Sequence, residues 1–204
     1  MFVMTVDQRE SRRAADAVPA VLQALEPVDA LVPFSRTIGD EAQGVLADPS
    51  AVAEAVRRLA VVSGWHIGIG IGEVERPLPE TTVEARGQAV YAARQAVEAA
   101  KSAPGHLVVR SGIEQDRSVH PAFAEAALRL LVSALEELRS QSRGYVGFRL
   151  DRPEATQTEI AEHFDVSQQA VSRVLAQGTA EIVAGGQGLA AHHLGLAEGG
   201  AHVD

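Results

Sequence analysis

The chain has 204 residues, enough for one large or two small domains with a real core. Its 46% apolar and 22% charged residues are an ordinary globular composition, and no apolar run reaches membrane-spanning length. Zero cysteines exclude disulfides, thiolate metal sites and cysteine nucleophiles, and a net charge of −9 opposes indiscriminate nucleic-acid binding. With no signal pattern at the N-terminus, the expected compartment is the cytoplasm and no membrane partner is expected.

Met1–Val6 is a short apolar run that reads as a buried strand ending at Asp7. A helix is predicted from about Asp16, a candidate N-cap, with Val18, Val21, Leu22 and Leu25 on one face and Pro27 closing it. Ala30–Thr37 and Glu41–Ala47 read as two strands around a tight turn at Ile38-Gly39-Asp40. Asp48-Pro49 opens another helix, in which Val52, Val56, Leu59 and Ala60 are spaced for burial. In the next strand, Gly64–Val74, Trp65, Ile67, Ile69 and Ile71 share one face and Gly68, Gly70 and Gly72 the other. A face stripped of side chains admits either a closely packed helix or a ligand. It is not a dinucleotide fingerprint, because the glycines alternate inside a strand and do not lead into a helix. Arg76–Thr82 is a loop, Glu84–Lys101 a helix and His106–Arg110 a short final strand. This order predicts an α+β domain over residues 1–112 with its helices on one face of the sheet.

From His120 only helices are predicted, in a second domain spanning 120–194. Phe123, Ala127, Leu130, Leu131, Ala134, Leu135 and Leu138 form a broad stripe that would brace the C-terminal helices or build a dimer seam. In Thr156–Gln177, Ile160, Ala161 and Phe164 recur at helical spacing. Asp165-Val166-Ser167 interrupts, and Val171, Val174 and Leu175 start a second stripe. Two short helices joined by so short a turn cross steeply, with the small Ala161 at their closest approach. Ser167 is placed to cap the second helix, so Ser167, Gln168, Gln169, Ser172 and Arg173 project from the packed face. Gln can pair with adenine and Arg with guanine in a DNA major groove. The segment looks like the helix-turn-helix of bacterial transcription regulators, with Asp165 replacing the usual glycine of the turn. Across Tyr145–Gly178, Arg149, Arg152 and Arg173 face Asp151, Glu154, Glu159, Glu162 and Asp165. That balance disfavours phosphate attraction while leaving base reading open, and Arg139 and Arg143 lie upstream for phosphate contacts. Double-stranded DNA and a second copy of the chain are the expected partners. Thr179–Leu194 reads as a helix weakened by glycines, and 195–204 as a disordered tail. His192 and His193 make a poor metal pair, since adjacent side chains diverge.

Asp7 at a strand end and Asp40-Glu41 in a neighbouring turn can converge on one Mg²⁺, which takes oxygen ligands and keeps waters for a phosphate. Acidic turn residues also serve purely local hydrogen bonding. RTIGDEAQGVL (Arg36–Leu46), WHIGIGIGEV (Trp65–Val74) and GQAVYAARQAVEAAK (Gly87–Lys101) occur in the order and spacing of the bacterial SatD family, which the chain resembles over nearly all of its length. That family is similar to class III nucleotide cyclases and GGDEF-type palm domains. The resemblance implies a ferredoxin-like palm in which Asp7 and Asp40 match the two metal-binding aspartates. It also implies a nucleotide, with Mg²⁺, beside Glu41, Gly68, Gly70 and Arg94. Cyclases carry an Asn four residues before an Arg on the following helix; taking Arg94 as that Arg puts Val90 at the Asn position. No base-selecting Lys or acidic partner is found, and phosphoryl chemistry needs charge stabilisation beyond metal positioning. The expected function is sequence-specific transcriptional regulation, with a degenerate cyclase-like domain sensing a nucleotide or metal. The alternatives are a metal-dependent nucleotide cyclase or related phosphoryl-transfer enzyme, and a palm serving only as an assembly module.

Overall fold

The computed structural model describes residues 1–11, 13–113 and 118–199. Strands β1 (Phe2–Gln8), β2 (Val32–Arg36), β3 (Glu41–Leu46), β4 (Trp65–Ile71) and β5 (Leu107–Ser111) form one sheet in the order β2-β3-β1-β4-β5. Neighbours are antiparallel except β4 and β5. The parallel pair needs a long crossover, supplied by helix α3 (Gln88–Ala100), whereas β2 and β3 are joined by the Ile38-Gly39-Asp40 turn. Helix α1 (Val18–Leu25) connects β1 to β2, and α2 (Pro49–Val62) connects β3 to β4. Asp48 caps α2 by accepting a hydrogen bond from the Ser50 amide at 2.8 Å.

Strand alternation assigns the two faces. Phe2, Met4, Val6, Leu46, Ile67, Ile69 and Ile71 point into one core with α1, α2, α4 (His120–Glu136) and α8 (Thr179–Gly199). On the other face, Val3 and Val45 pack with Ala89, Val90 and Ala93 of α3. Helices therefore cover both faces, not one, because the β4–β5 crossover must pass on the side opposite α1 and α2. The bare strand is what lets α3 in. A Cβ on Gly70 would lie 2.0 Å from the Ala89 carbonyl oxygen, and one on Gly68 would lie 2.3 Å from the Val97 amide nitrogen. Of the two readings of the glycine face, helix packing is the one realised.

Several expectations are corrected. β1 extends through Asp7 to Gln8, so Asp7 pairs inside the sheet with Glu41 and His66. α3 begins at Gln88 because Gly87 turns the chain at φ 127°, and Thr82–Glu84 forms a separate 3-10 turn. The buried stripe of α4 is Ala124, Ala127, Leu128, Leu131, Val132 and Leu135, leaving Phe123 and Leu130 exposed. A helix absent from the sequence reading, α5 (Ser140–Asp151), follows it. α8 runs unbroken to Gly199, past the predicted end at Leu194, with two of its glycines at close approaches. Gly186 lies against Leu131 and Gly195 against Pro49. Ala197 is buried and Glu198 pairs with the Met1 ammonium, so 195–199 belong to the helix, and 200–204 lie outside the described residues.

The division near residue 112 does not separate two cores, since α4 and α8 share the core of the sheet. A small second core belongs to α5, α6 (Gln157–His163) and α7 (Gln168–Leu175), around Tyr145, Ile160, Ala161 and Val171. It is tied to α2 by Asp151, which lies 2.5 Å from buried Arg57 and 2.9 Å from Arg58. No helix among the described residues is long and apolar enough to cross a membrane.

Candidate nucleic-acid interface

The α6–α7 hairpin is built by its caps. Thr156 Oγ1 accepts from the Glu159 amide at 3.2 Å while the Glu159 carboxylate accepts from the Thr156 amide at 2.6 Å, a reciprocal capping box. These bonds hold the Glu159 carboxyl below its ordinary pKa. α6 ends with Val166 N–H donating to the Ala161 carbonyl (3.0 Å) and Asp165 N–H to that of Glu162 (3.3 Å), the six-to-one and five-to-two pair of a Schellman ending. Such an ending puts its next residue in the left-handed region, and Asp165 has φ 52°. Asp is among the few side chains that enter that region cheaply, which is how the turn forms without glycine. Ser167 then caps α7 by accepting from the Ala170 amide at 3.3 Å.

Beneath the hairpin, Ile160, Ala161 and Val171 are buried, and Tyr145 and Phe164 meet edge-on at 5.0 Å between ring centroids. Ser167, Gln168, Gln169 and Arg173 are consequently exposed and Ser172 is half-buried, as the stripe requires. Gln168 donates to Gln157 Oε1 at 3.2 Å. Gln169 and Arg173, one turn apart, make no hydrogen bond or ion pair among the described residues and are free for a partner. The acidic balance is slightly milder than the sequence implied, because the Asp151 charge is matched by Arg57 and Arg58. Glu159 stays ionised in its cap, so Glu154, Glu159, Glu162 and Asp165 stand against Arg149, Arg152 and Arg173, with Arg152 lying over the Phe148 ring at 4.7 Å.

The second group of candidates lies at one end of the sheet, in a row across three strands formed by Glu41, Asp7 and His66. The Gln8 amide donates to the Asp40 carbonyl at 3.2 Å, which brings Asp40 alongside. Burial raises the Asp7 pKa; Lys101 opposes this, while Asp40, Glu41 and Glu98 add to it. Glu41 accepts from Thr37 Oγ1 at 2.5 Å. Lys101 Nζ sits 2.6 Å from Glu98 and 3.9 Å from Asp7. His66 and His106, which the sequence reading passed over, meet edge-on at 5.0 Å, each with a buried Nδ1 lacking a hydrogen-bond partner. Burial lowers the pKa of His66, and His106, Arg9 and Lys101 push the same way. Alternation in β4 is the signal that puts His66 on the Gly68 face, and its pairing with Asp7 comes from the register; the approach of Lys101 from α3 left no local signal.

Asp7, Asp40 and Glu41 thus come together, but the remaining predicted nucleotide residues do not join them. Gly68 and Gly70 lie under α3. Arg94 is exposed on α3, seven residues before Lys101 and about 10 Å away along the helix axis. Among the described residues, no group of three or more His, Asp or Glu is placed to hold a metal ion, and an ammonium already stands beside Asp7. One or two carboxylates suffice for Mg²⁺ bound with a phosphate, so Asp7 and Asp40 stand as candidates, while Gly68, Gly70 and Arg94 are not placed with them. A depression of about 340 Å³ touches Asp7, His66 and Lys101, whereas a larger one of about 600 Å³ opens at the opposite end of β4 by Gly72, Glu73 and Arg76. None of the predicted site residues lines the larger one. Comparison with protein-family models, curated proteins and solved structures gives no match for this chain.

Proposed function

We propose that the protein is a sequence-specific DNA-binding transcriptional regulator in which α6 and α7 form a helix-turn-helix and α7 enters the major groove. The observation that carries this reading is the pair Gln169 and Arg173: both are exposed, neither has a hydrogen-bond or ion-pair partner among the described residues, and both stand on a helix whose opposite side is anchored in a core. A helix of about 10–12 Å diameter suits a groove about 12 Å wide, and these side chain types read adenine and guanine edges. The slight excess of acid around the hairpin favours base reading over phosphate attraction as the source of affinity.

The sheet supports the palm-like reading that the SatD resemblance implies. β1-α1-β2-β3-α2-β4 with the order β2-β3-β1-β4, and both helices on one face, supports the ferredoxin-like expectation, with α3 and β5 added. No reaction is assigned to it, because Val90 stands at the Asn position of the cyclases and α3 covers Gly68 and Gly70. Its role in this reading is to carry the hairpin through the Arg57–Asp151 clamp and to present the chain as a homodimer on paired half-sites in the cytoplasm. Selection from a random duplex pool with the purified full chain tests the function. A recurrent enriched sequence supports it; recovery of the unbiased pool rejects it.

A further inference from the structure

α8 is a surface helix with an unusual outer side. Ile182–Ala197 contains no Asp, Glu, Lys or Arg. Ile182, Leu189 and Leu196 recur every seven residues and are 60%, 51% and 42% exposed. α4 runs antiparallel beside it: His120 Nδ1 lies 3.0 Å from His193 Nδ1, and Leu131 lies against Gly186. On the margin of α4 nearest α8, Phe123 meets the His193 ring at 5.2 Å, and Leu130 is 69% exposed. The two charges in that stretch of α4 are turned away. Glu125 accepts from the Val109 amide at 2.8 Å, Arg129 donates to the Leu107 carbonyl at 3.0 Å, and the two pair with each other. The outcome is a charge-free apolar face spanning two helices.

We propose that this face is covered by a second copy of the chain, with a two-fold axis at Leu189. The stripe is self-complementary about that residue. In an antiparallel pairing of α8 with its symmetry mate, Leu189 meets Leu189, Ile182 meets Leu196, and Gly185 receives His193. Gly185 has open space where a Cβ would stand, so the small residue admits the large one. The Ile182–Leu196 span is about 21 Å and two helices are about 20 Å wide, a footprint of roughly 400 Å². That is within the range of the largest apolar patch on an ordinary monomer, which is often functional, and about half of the ~800 Å² each partner gives to a standard interface, whose rim is polar. A lipid surface would favour basic residues at the margin, whereas the charges flanking the α8 start are Glu137 and Glu181. Stacking two α4–α8 pairs makes a four-helix arrangement, the packing such faces favour. As the source of paired half-sites the two-fold rests on the DNA-binding reading; as a surface it does not.

The test uses no DNA, and the chain's lack of cysteine makes it clean. In the full chain, Leu189→Cys should cross-link to a covalent dimer with a short bis-maleimide. Ile182→Cys alone should not, its mate lying about 21 Å away. A mixture of Ile182→Cys and Leu196→Cys chains should cross-link. By sedimentation, wild type should be dimeric, and Leu189→Glu, at an exposed site that leaves far-UV circular dichroism unchanged, should raise the dimer dissociation constant at least 100-fold. A monomeric wild type, a Leu189→Glu chain that dimerises as before, or cross-linking of Ile182→Cys to itself in place of Leu189→Cys overturns the proposal. A dimer that enriches no DNA sequence would leave the surface standing and remove the regulator.

Discussion

The acidic end of the sheet and the outer face of α7 both gather polar side chains, yet they differ in what those side chains already do. At the sheet end, Asp7 faces Lys101, Glu41 takes the Thr37 hydroxyl, and the neighbouring glycines are occupied by α3. On α7, Gln169 and Arg173 are held in place by a core behind them and make no hydrogen bond or ion pair among the described residues. Motif resemblance pointed to both regions. In the second, two exposed side chains one turn apart are left without an internal task among the described residues, and such groups are available to a partner.

The sharpest way to break this contrast is Gly70→Val. A side chain there would collide with the backbone of α3 at Ala89 and Ala93, which cannot step aside as a side chain can. A loss of about 3 kcal/mol or more is expected by urea unfolding. A variant with wild-type stability would mean that α3 does not sit on the glycines and that this face is open after all.

Much of the sheet was legible because its signals are local. Alternation in Trp65–Ile71 and the Asp48-Pro49 cap translate directly into β4 and α2. The α6–α7 hairpin was legible for the same reason, its stripes and caps lying within one short segment. α5 was not. Its sequence SQSRGYVGFRLD has no continuous apolar stripe, and Gly144 and Gly147 make sense only against Phe164 and Val61 from other elements. The outward stripe of α4 was misplaced by the same kind of failure, because periodicity cannot say which of two adjacent apolar rows α8 and β5 will cover. At the acidic end, the sequence placed the carboxylates but not the lysine that comes to them from the end of α3.

Arg173→Ala should cost roughly 1–3 kcal/mol of specific DNA affinity and relax preference at one base pair, with little change in salt dependence. Equal weakening across all sequences would reassign Arg173 to a phosphate. Arg57→Ala addresses the link between the two regions. Arg57 is 4% exposed, but Asp151 is 36% exposed and keeps Arg58, so about 1–2 kcal/mol of stability is expected to go, less than for a fully buried pair. No loss would show that the hairpin is held by its apolar contacts alone.

Two smaller effects test local physics. Asp165→Gly relieves a left-handed residue while loosening the unfolded chain, a net gain of about 0.5 kcal/mol. A loss would indicate that the Asp165 side chain does more than tolerate the turn. Asp7 binds its proton more tightly folded than unfolded. Its contribution to stability is therefore complete below the ordinary value of 3.8 and is lost as pH rises through the raised value. Asp7→Asn should stabilise the fold slightly at pH 7 and not at pH 3. Destabilisation at pH 7 would instead show that the Lys101 pair outweighs burial. In the same spirit, ATP or GTP with Mg²⁺ or Mn²⁺ should yield no cyclic nucleotide; product that vanishes in Asp40→Ala would restore the enzyme reading.

The most direct measurement is DNA selection by the folded Gln169→Ala/Arg173→Ala double variant beside wild type. Neither side chain belongs to the apolar stripe, so circular dichroism and unfolding midpoint should be unchanged. Wild type is expected to enrich one sequence, with weak non-specific binding and a shallow salt slope, and the double variant to lose that enrichment. A folded double variant that selects the same sequence with equal affinity would contradict the assignment of α7 as the reading helix.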